Sequence, residues 1–261
     1  VGQVSSEPPT ERLEQHSERG AALLKRARET TGFFPEDEAM GLYRVARRAV
    51  SMGIGPIVEI GAYCGRSTLF LAAAIADETP FRATTVCFSV DHHRGSEEMQ
   101  AGSSFHDPSL VDPETGLMDT LAIWRKNIAT AKVEDLVVGV IGDSRTVASA
   151  WGKRASLVLI DGGHARDVCW ADYRGWSRHV SVGGFLAFHD VFADEREGGR
   201  PPYECYVDAI SSGAFSEDTG ACVRSLKVLV RRGKGHLEAS NARDTKPSQR
   251  ASVARTTAAP E

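Results

Sequence analysis

Five short apolar runs mark the middle of the chain: Ile57–Ile60, Val86–Val90, Val137–Ile141, Leu157–Ile160 and Phe185–Phe188. A strand with no polar alternation is covered on both faces, and strands that alternate with helices build a parallel sheet between two helical layers. The intervening segments read as helices, from about Arg66 to Asp77, Met118 to Ala131 and Ala165 to His179. In the last of these Cys169, Tyr173, Trp176 and Val180 recur at steps of four, three and four, the spacing of one buried helical face. Ahead of the first strand, Pro35 and the acids Glu36, Asp37 and Glu38 announce a helix running to Val50 and ending at Met52-Gly53. Near the C-terminus Leu226, Val228 and Val230 alternate with polar residues, as in an antiparallel or edge strand. The expected fold is α/β, with a mostly parallel central sheet, helices on both faces and an antiparallel C-terminal strand.

A chain of 261 residues suits one such domain. Residues 1–30 form a polar, partly helical segment, 31–232 the domain, and 233–261 a tail without large apolar groups that is expected to be disordered. A formal net charge of -4 argues against a nucleic-acid surface. No apolar run approaches a transmembrane span, and the N-terminal residues carry no signal-peptide pattern. Five scattered cysteines, odd in number and without a CxxC pair, fit reduced thiols in the cytoplasm.

The strand ends carry the chemistry. The first strand turns into its helix through VEIGAYCGRST, where Gly61 and Gly65 permit a sharp turn. A tight turn without a ligand explains those glycines almost as well. The dinucleotide fingerprint GxGxxG is absent, because Tyr63 and Arg66 stand in place of its second and third glycines. Glu59 beside the turn disfavours a pyrophosphate and suits a cationic ligand, such as the sulfonium and ammonium of S-adenosylmethionine. Asp91, at the tip of the second strand, suits two ribose hydroxyls, with a turn or cap aspartate as the alternative. Gly142-Asp143-Ser144 suits the adenine rim, and an ordinary turn accounts for it nearly as well.

The fourth and fifth strands end in Asp161-Gly162-Gly163-His164 and His189-Asp190. Asp161 and Asp190 offer hard oxygen ligands for a divalent cation, and His189 a third ligand. His164 reaches the same region and suits a general base. Trp170 and Trp176 read as packing residues. His92 and His93 belong to a long Gly-, Ser- and Pro-rich connection from Asp91 to about Gly116, the length of which marks a functional or a disordered loop. With the segment Val191–Tyr206, including Arg196, Arg200 and Tyr203, this loop is expected to shape the substrate pocket.

Together VEIGAYCGRST, SVDHHRGSEE, GDS, LIDGGH and GGFLAFHD resemble the class I, metal-dependent S-adenosylmethionine O-methyltransferases, over roughly Thr31 to Arg232. Within that group the motifs resemble mycobacterial enzymes that methylate mannosides during methylmannose polysaccharide synthesis. The resemblance implies a Rossmann-like fold, S-adenosyl-L-methionine as cofactor and a divalent metal, magnesium or manganese. It places Glu59, Gly61 and Ser67 beside the methionine part of the cofactor, Asp91 at the ribose and Asp143 at the adenine. It makes Asp161, His189 and Asp190 the metal ligands and His164 the catalytic base. His189 departs from the acidic or amide pair usual there, and either binds the metal or orients a residue that does; imidazole favours manganese, cobalt or zinc over magnesium. The implied partner is a small-molecule hydroxyl acceptor, a sugar first and a phenolic or macrolide natural product second, with no nucleic acid and no membrane. A homodimer is compatible with N-terminal helices outside the sheet. Two other classes share the fold pattern: a nicotinamide-dependent oxidoreductase, disfavoured by the glycine spacing, and a non-catalytic binding module, disfavoured by the Asp161/His164/Asp190 set.

Overall fold

The computed structural model describes residues 15–78 and 85–235; the first fourteen residues and most of the tail expected to be disordered, from 236 on, lie outside them. Among the described residues seven strands form one sheet: β1 (Ile57–Ile60), β2 (Cys87–Asp91), β3 (Val137–Ile141), β4 (Ala155–Ile160), β5 (Val180–Phe188), β6 (Phe215–Glu217) and β7 (Lys227–Arg231). Their order is β3-β2-β1-β4-β5-β7-β6. β1 to β5 pair in parallel, and β7 runs antiparallel to both its neighbours. The mostly parallel α/β sheet with one reversed strand is therefore present.

Alternate residues along each central strand face opposite layers. Ile57, Leu157, Leu159, Phe185 and Ala187 pack toward one core. That core is roofed by α1 (Glu18–Glu29), α2 (Glu36–Met52), α3 (Arg66–Glu78) and α4 (Leu121–Ala131). Val58, Ile60, Val158, Ile160, Leu186 and Phe188 face the other core. Its cover is α5 (Ser144–Ala150), α6 (Arg166–Trp176) and α7 (Pro201–Ser211). The connections after β1 and β4 lead to helices on opposite faces, so a crevice opens at the carboxyl ends of these two neighbouring strands.

Several boundaries differ from the sequence reading. β5 begins at Val180, ahead of the Gly183-Gly184 pair that was expected to introduce it. Gly183, at φ 84°, lies within the strand where the pairing with β4 shifts register. α6 accordingly stops at Trp176. β7 is an interior strand, with Val228 and Leu229 wholly buried, because β6 takes the edge. α7, unforeseen, opens on Pro201-Pro202, residues suited to a first helical turn. α1 buries Leu23, Leu24 and Ala27 in the same core as α3. Trp176 is fully buried, and Trp170 packs between Arg166 and Arg174, as expected of packing residues. No helix among the described residues is long and apolar enough to cross a membrane.

Candidate active site

A cavity of about 640 Å³ occupies the crevice. Gly61, Asp91, Asp143, Ser144, Asp161, His164 and Asp190 all line it, with Asp91 and Asp143 on the β2–β3 side of the sheet and Asp161 and Asp190 on the β4–β5 side. The long loop after Asp91 contributes Glu97, Glu98, Met99 and Phe105 to the wall.

The glycine turn has a reason the sequence did not reveal. Gly61 adopts φ 87°, and a Cβ there would lie 2.1 Å from the carbonyl oxygen of Asp161. The glycine therefore lets the β1 turn press against the tip of β4, while also lining the cavity. Asp91 accepts the N–H groups of Ala62 and Tyr63, both at 2.9 Å, and that of His93 at 2.7 Å. Its carboxylate thus fixes the glycine turn and lines the cavity at once.

Asp143 caps α5, accepting the N–H groups of Arg145 and Thr146. The Arg145 guanidinium, 2.7 Å away, holds its carboxyl down at about 2. Here the cap reading and the cavity position coincide. Glu59 is placed differently from expectation: it does not line the cavity but is wholly buried, accepting hydroxyl hydrogens from Thr68 at 2.6 Å and Ser89 at 2.7 Å. Burial pushes its carboxyl up to about 7 despite hydrogen bonds from Ser67, Thr68 and Ser89. One of its oxygens has no partner. Ser67, next to Thr68 at the start of α3, does line the cavity. Asp172 on α6 is a cavity acid the sequence reading missed; it accepts the Ser144 hydroxyl, and burial pushes its carboxyl up to about 6.

On the β4–β5 side, register does the assembly. Ile160 of β4 pairs with Phe188 of β5, so the next residues, Asp161 and His189, emerge side by side. His189 Nδ1 lies 2.9 Å from Asp161 Oδ1 and 3.3 Å from Asp190 Oδ2. One donor atom from each of Asp161, His189 and Asp190 falls within 4.8 Å of the others. Two ligands at cis positions around an ion with bonds of about 2.1 Å are themselves about 3 Å apart, so the nitrogen-to-oxygen spacings fit a common cation. The chemistry of the donor set, two carboxylates and an imidazole, also suits one. Asp190 holds φ 54°, a left-handed conformation rare outside glycine that turns its side chain back toward the pair.

Charge is concentrated here. Burial raises Asp161 above the ordinary carboxylate range, although His189 partly offsets it. In Asp190 burial acts in the same direction, but the hydrogen bond and charge of His189 prevail and hold the carboxyl low. His189 is itself lifted well above its ordinary value, because its carboxylate neighbours, Asp161 foremost, outweigh the cost of burial.

His164 places Nδ1 3.2 Å from Glu98 and Nε2 3.4 Å from Asp190. Glu98, which sequence reasoning did not single out, comes from a loop whose many acids gave no spacing signal. Gly163 admits that loop: a Cβ there would lie 2.8 Å from Glu97. His92 lines the cavity, whereas His93 is buried and bonded to Thr120 at 2.8 Å. Of the segment 191–206, Phe192, Glu197, Gly198 and Gly199 reach the cavity, while Arg196, Arg200 and Tyr203 do not line it. Arg196 instead pairs with Asp194, and Arg200 stacks over Tyr203.

The fold is shared with solved methyltransferases. The structure described as the O-methyltransferase NovP superposes with a TM-score of 0.57 at 16% identity, over 76% of this chain and 81% of that one. The calicheamicin methyltransferase CalS11 gives 0.56 at 16% identity, over 90% and 98%. An O-methyltransferase from Bacillus cereus, solved in complex with SAH, gives 0.52 at 15% identity, over 84% and 93%. A family model described as a methyltransferase domain matches residues 58–191, from β1 through the Asp190 turn. With just over half of its length matched in this way, the chain belongs to the methyltransferase-domain family.

Proposed function

We propose that the chain transfers a methyl group from S-adenosylmethionine to a hydroxyl oxygen of a small molecule, with a divalent cation held by Asp161, His189 and Asp190. The observation that carries this reading is the meeting of those three side chains beside His164, in one cavity with Asp91 and Asp143. The SAH complexes of the Bacillus cereus enzyme and of Podospora anserina PaMTH1, the latter with a TM-score of 0.53 at 13% identity over 90% of this chain and 100% of that one, support the choice of donor.

When bound, the donor supplies an electrophilic methyl and the metal supplies charge that acidifies a neighbouring hydroxyl. The residues of the chain supply the rest. Glu98 accepts the Nδ1–H of His164 and orients the ring, leaving Nε2 as the atom that takes the acceptor's proton. Asp161, His189 and Asp190 would hold the cation and balance its charge. Asp91 keeps lone pairs for ribose hydroxyls beyond its backbone bonds, and Asp143 stands at the adenine rim. Gly61 and Ser67 border the methionine part, while Glu59, behind them, braces the turn through Thr68 and Ser89. Most of the rate gain is positioning.

The resemblance to mannoside-methylating enzymes suggests a sugar acceptor, a mannoside first. A second reading, a phenolic or other planar natural product, is favoured by a different observation. Phe33 and Phe105, each about half exposed, face each other at 5.4 Å, with Tyr63 5.3 Å from Phe33, and all three line the cavity. Exposed rings of this kind suit a flat apolar acceptor. An acceptor panel with labelled donor, mannosides and catechols side by side, separates the two. Removal of metal by EDTA is expected to abolish transfer, and manganese to restore it. Full activity after chelation and dialysis would remove the metal from the reading and leave methyl transfer intact. Binding of NADH in preference to S-adenosylhomocysteine would overturn the reading as a whole.

A further inference from the structure

One buried acid at this site lies outside the region that the family model spans. Glu38, in the first turn of α2, is 2% exposed. The dipole of a helix start accounts for an acid there but not for its burial. Its carboxylate accepts the Ser225 N–H at 3.1 Å and the Ser225 hydroxyl at 2.9 Å. The remaining bond, at 2.7 Å, comes from His189 Nε2. A carboxylate offers only lone pairs, so the hydrogen of that bond sits on Nε2. Phe34 stacks on the imidazole at 3.9 Å, with 14° between planes, and prevents the ring from tilting. Nδ1 is therefore the atom turned toward Asp161 and Asp190.

We propose that Glu38 is a positioning residue that locks the His189 ring with Nδ1 facing Asp161 and Asp190, so that the cation site includes a nitrogen ligand and selects manganese, cobalt or zinc over magnesium. The inference rests on the metal-dependent reading above. An imidazole oriented by a carboxylate on its far nitrogen is held in one tautomer and made a better donor, and loss of such a partner lowers metal affinity by about 10–100-fold. Ser225 completes the arrangement, since it leaves the Glu38 carboxylate no freedom to rotate away from the ring.

The test is cobalt(II) titration of the metal-stripped, full-length protein without substrate, followed by visible absorption and by calorimetry, with magnesium titrated in parallel. The wild type is expected to bind cobalt more tightly than magnesium and to give bands of mixed nitrogen and oxygen ligation. His189→Asp should shift those bands toward all-oxygen ligation and raise the relative affinity for magnesium. Glu38→Gln, which keeps the volume of the side chain, should weaken cobalt about 10–100-fold while magnesium changes much less, with the circular dichroism spectrum unaltered. Ser225→Ala, a milder change, should move cobalt affinity in the same direction, and it serves as the test if Glu38→Gln does not fold. Unchanged cobalt affinity and bands in the folded Glu38 variant, or in Ser225→Ala where only that variant folds, would overturn the role of Glu38 and leave metal dependence standing. A wild type that binds no divalent cation would overturn both.

Discussion

At Glu59 burial and ionisation oppose each other. Its carboxyl is pushed up to about 7, chiefly by burial, from the ordinary value of 4.5 that it keeps in the unfolded chain. Below the unfolded value both states carry the proton. Between the two values only the folded state does, so stability falls as pH rises toward 7 and then levels off. The shift corresponds to roughly 3 kcal/mol. Thermal melts of Glu59→Gln should therefore lose less stability than the wild type between pH 5 and pH 8, and parallel profiles would contradict the assignment. His164 makes a kinetic prediction. His164→Ala should lower kcat by about 10²–10⁴-fold, the usual weight of a general base. Calorimetry should find S-adenosylhomocysteine affinity within a few-fold of wild type, because His164 follows β4, two strands across the sheet from Asp91 on β2. A collapse of cofactor binding with unchanged kcat would reassign the residue.

The turns that end the strands set the spacing between elements, and two glycines at similar φ separate two kinds of constraint. Gly61, at φ 87°, has the Asp161 carbonyl 2.1 Å from where a Cβ would stand, whereas Gly183, at φ 84°, has nothing within 4 Å. Gly183→Ala should cost only the left-handed strain, about 1–2 kcal/mol, and leave binding of S-adenosylhomocysteine unaltered. Gly61→Ala must also push β1 and β4 apart. It should melt well below Gly183→Ala and bind the same ligand more weakly, as read by differential scanning fluorimetry and calorimetry. Equal effects of the two substitutions would show that the close approach of the two strand ends carries no functional weight. α2 illustrates a signal that was present but masked. Glu38, Leu42, Val45 and Ala49 share its buried stripe, and an acid on such a stripe needs partners. The neighbouring Glu36 and Asp37 supplied an ordinary explanation, a helix start, that hid the exception.

At the scale of the whole molecule, the helical layers are joined to the sheet more tightly than the sequence segments suggest. Leu24 of α1 is 2% exposed and belongs to the core beneath α3. Leu24→Ala should cost about 2–5 kcal/mol and lower a single cooperative transition seen alike by near- and far-UV circular dichroism. A separate early transition would show that α1 folds apart from the domain. The five central strands and the acids at their tips were legible in the chain because continuous apolar runs and the residues that end them are local properties. Asp91, Asp143, Asp161, His164, His189 and Asp190 could be selected on that basis alone. The short helix α5 and the edge strand β6 were not, since elements of seven and three residues leave too little periodicity to read. Which acids meet was decided only in three dimensions. Register between β4 and β5 set Asp161 beside His189, the folded loop brought Glu98 to His164, and α2 carried Glu38 across 151 positions to the far nitrogen of His189. Local sequence determines what a strand is and where it ends; the partners of a buried charge depend on long-range packing, which no window of neighbouring residues encodes.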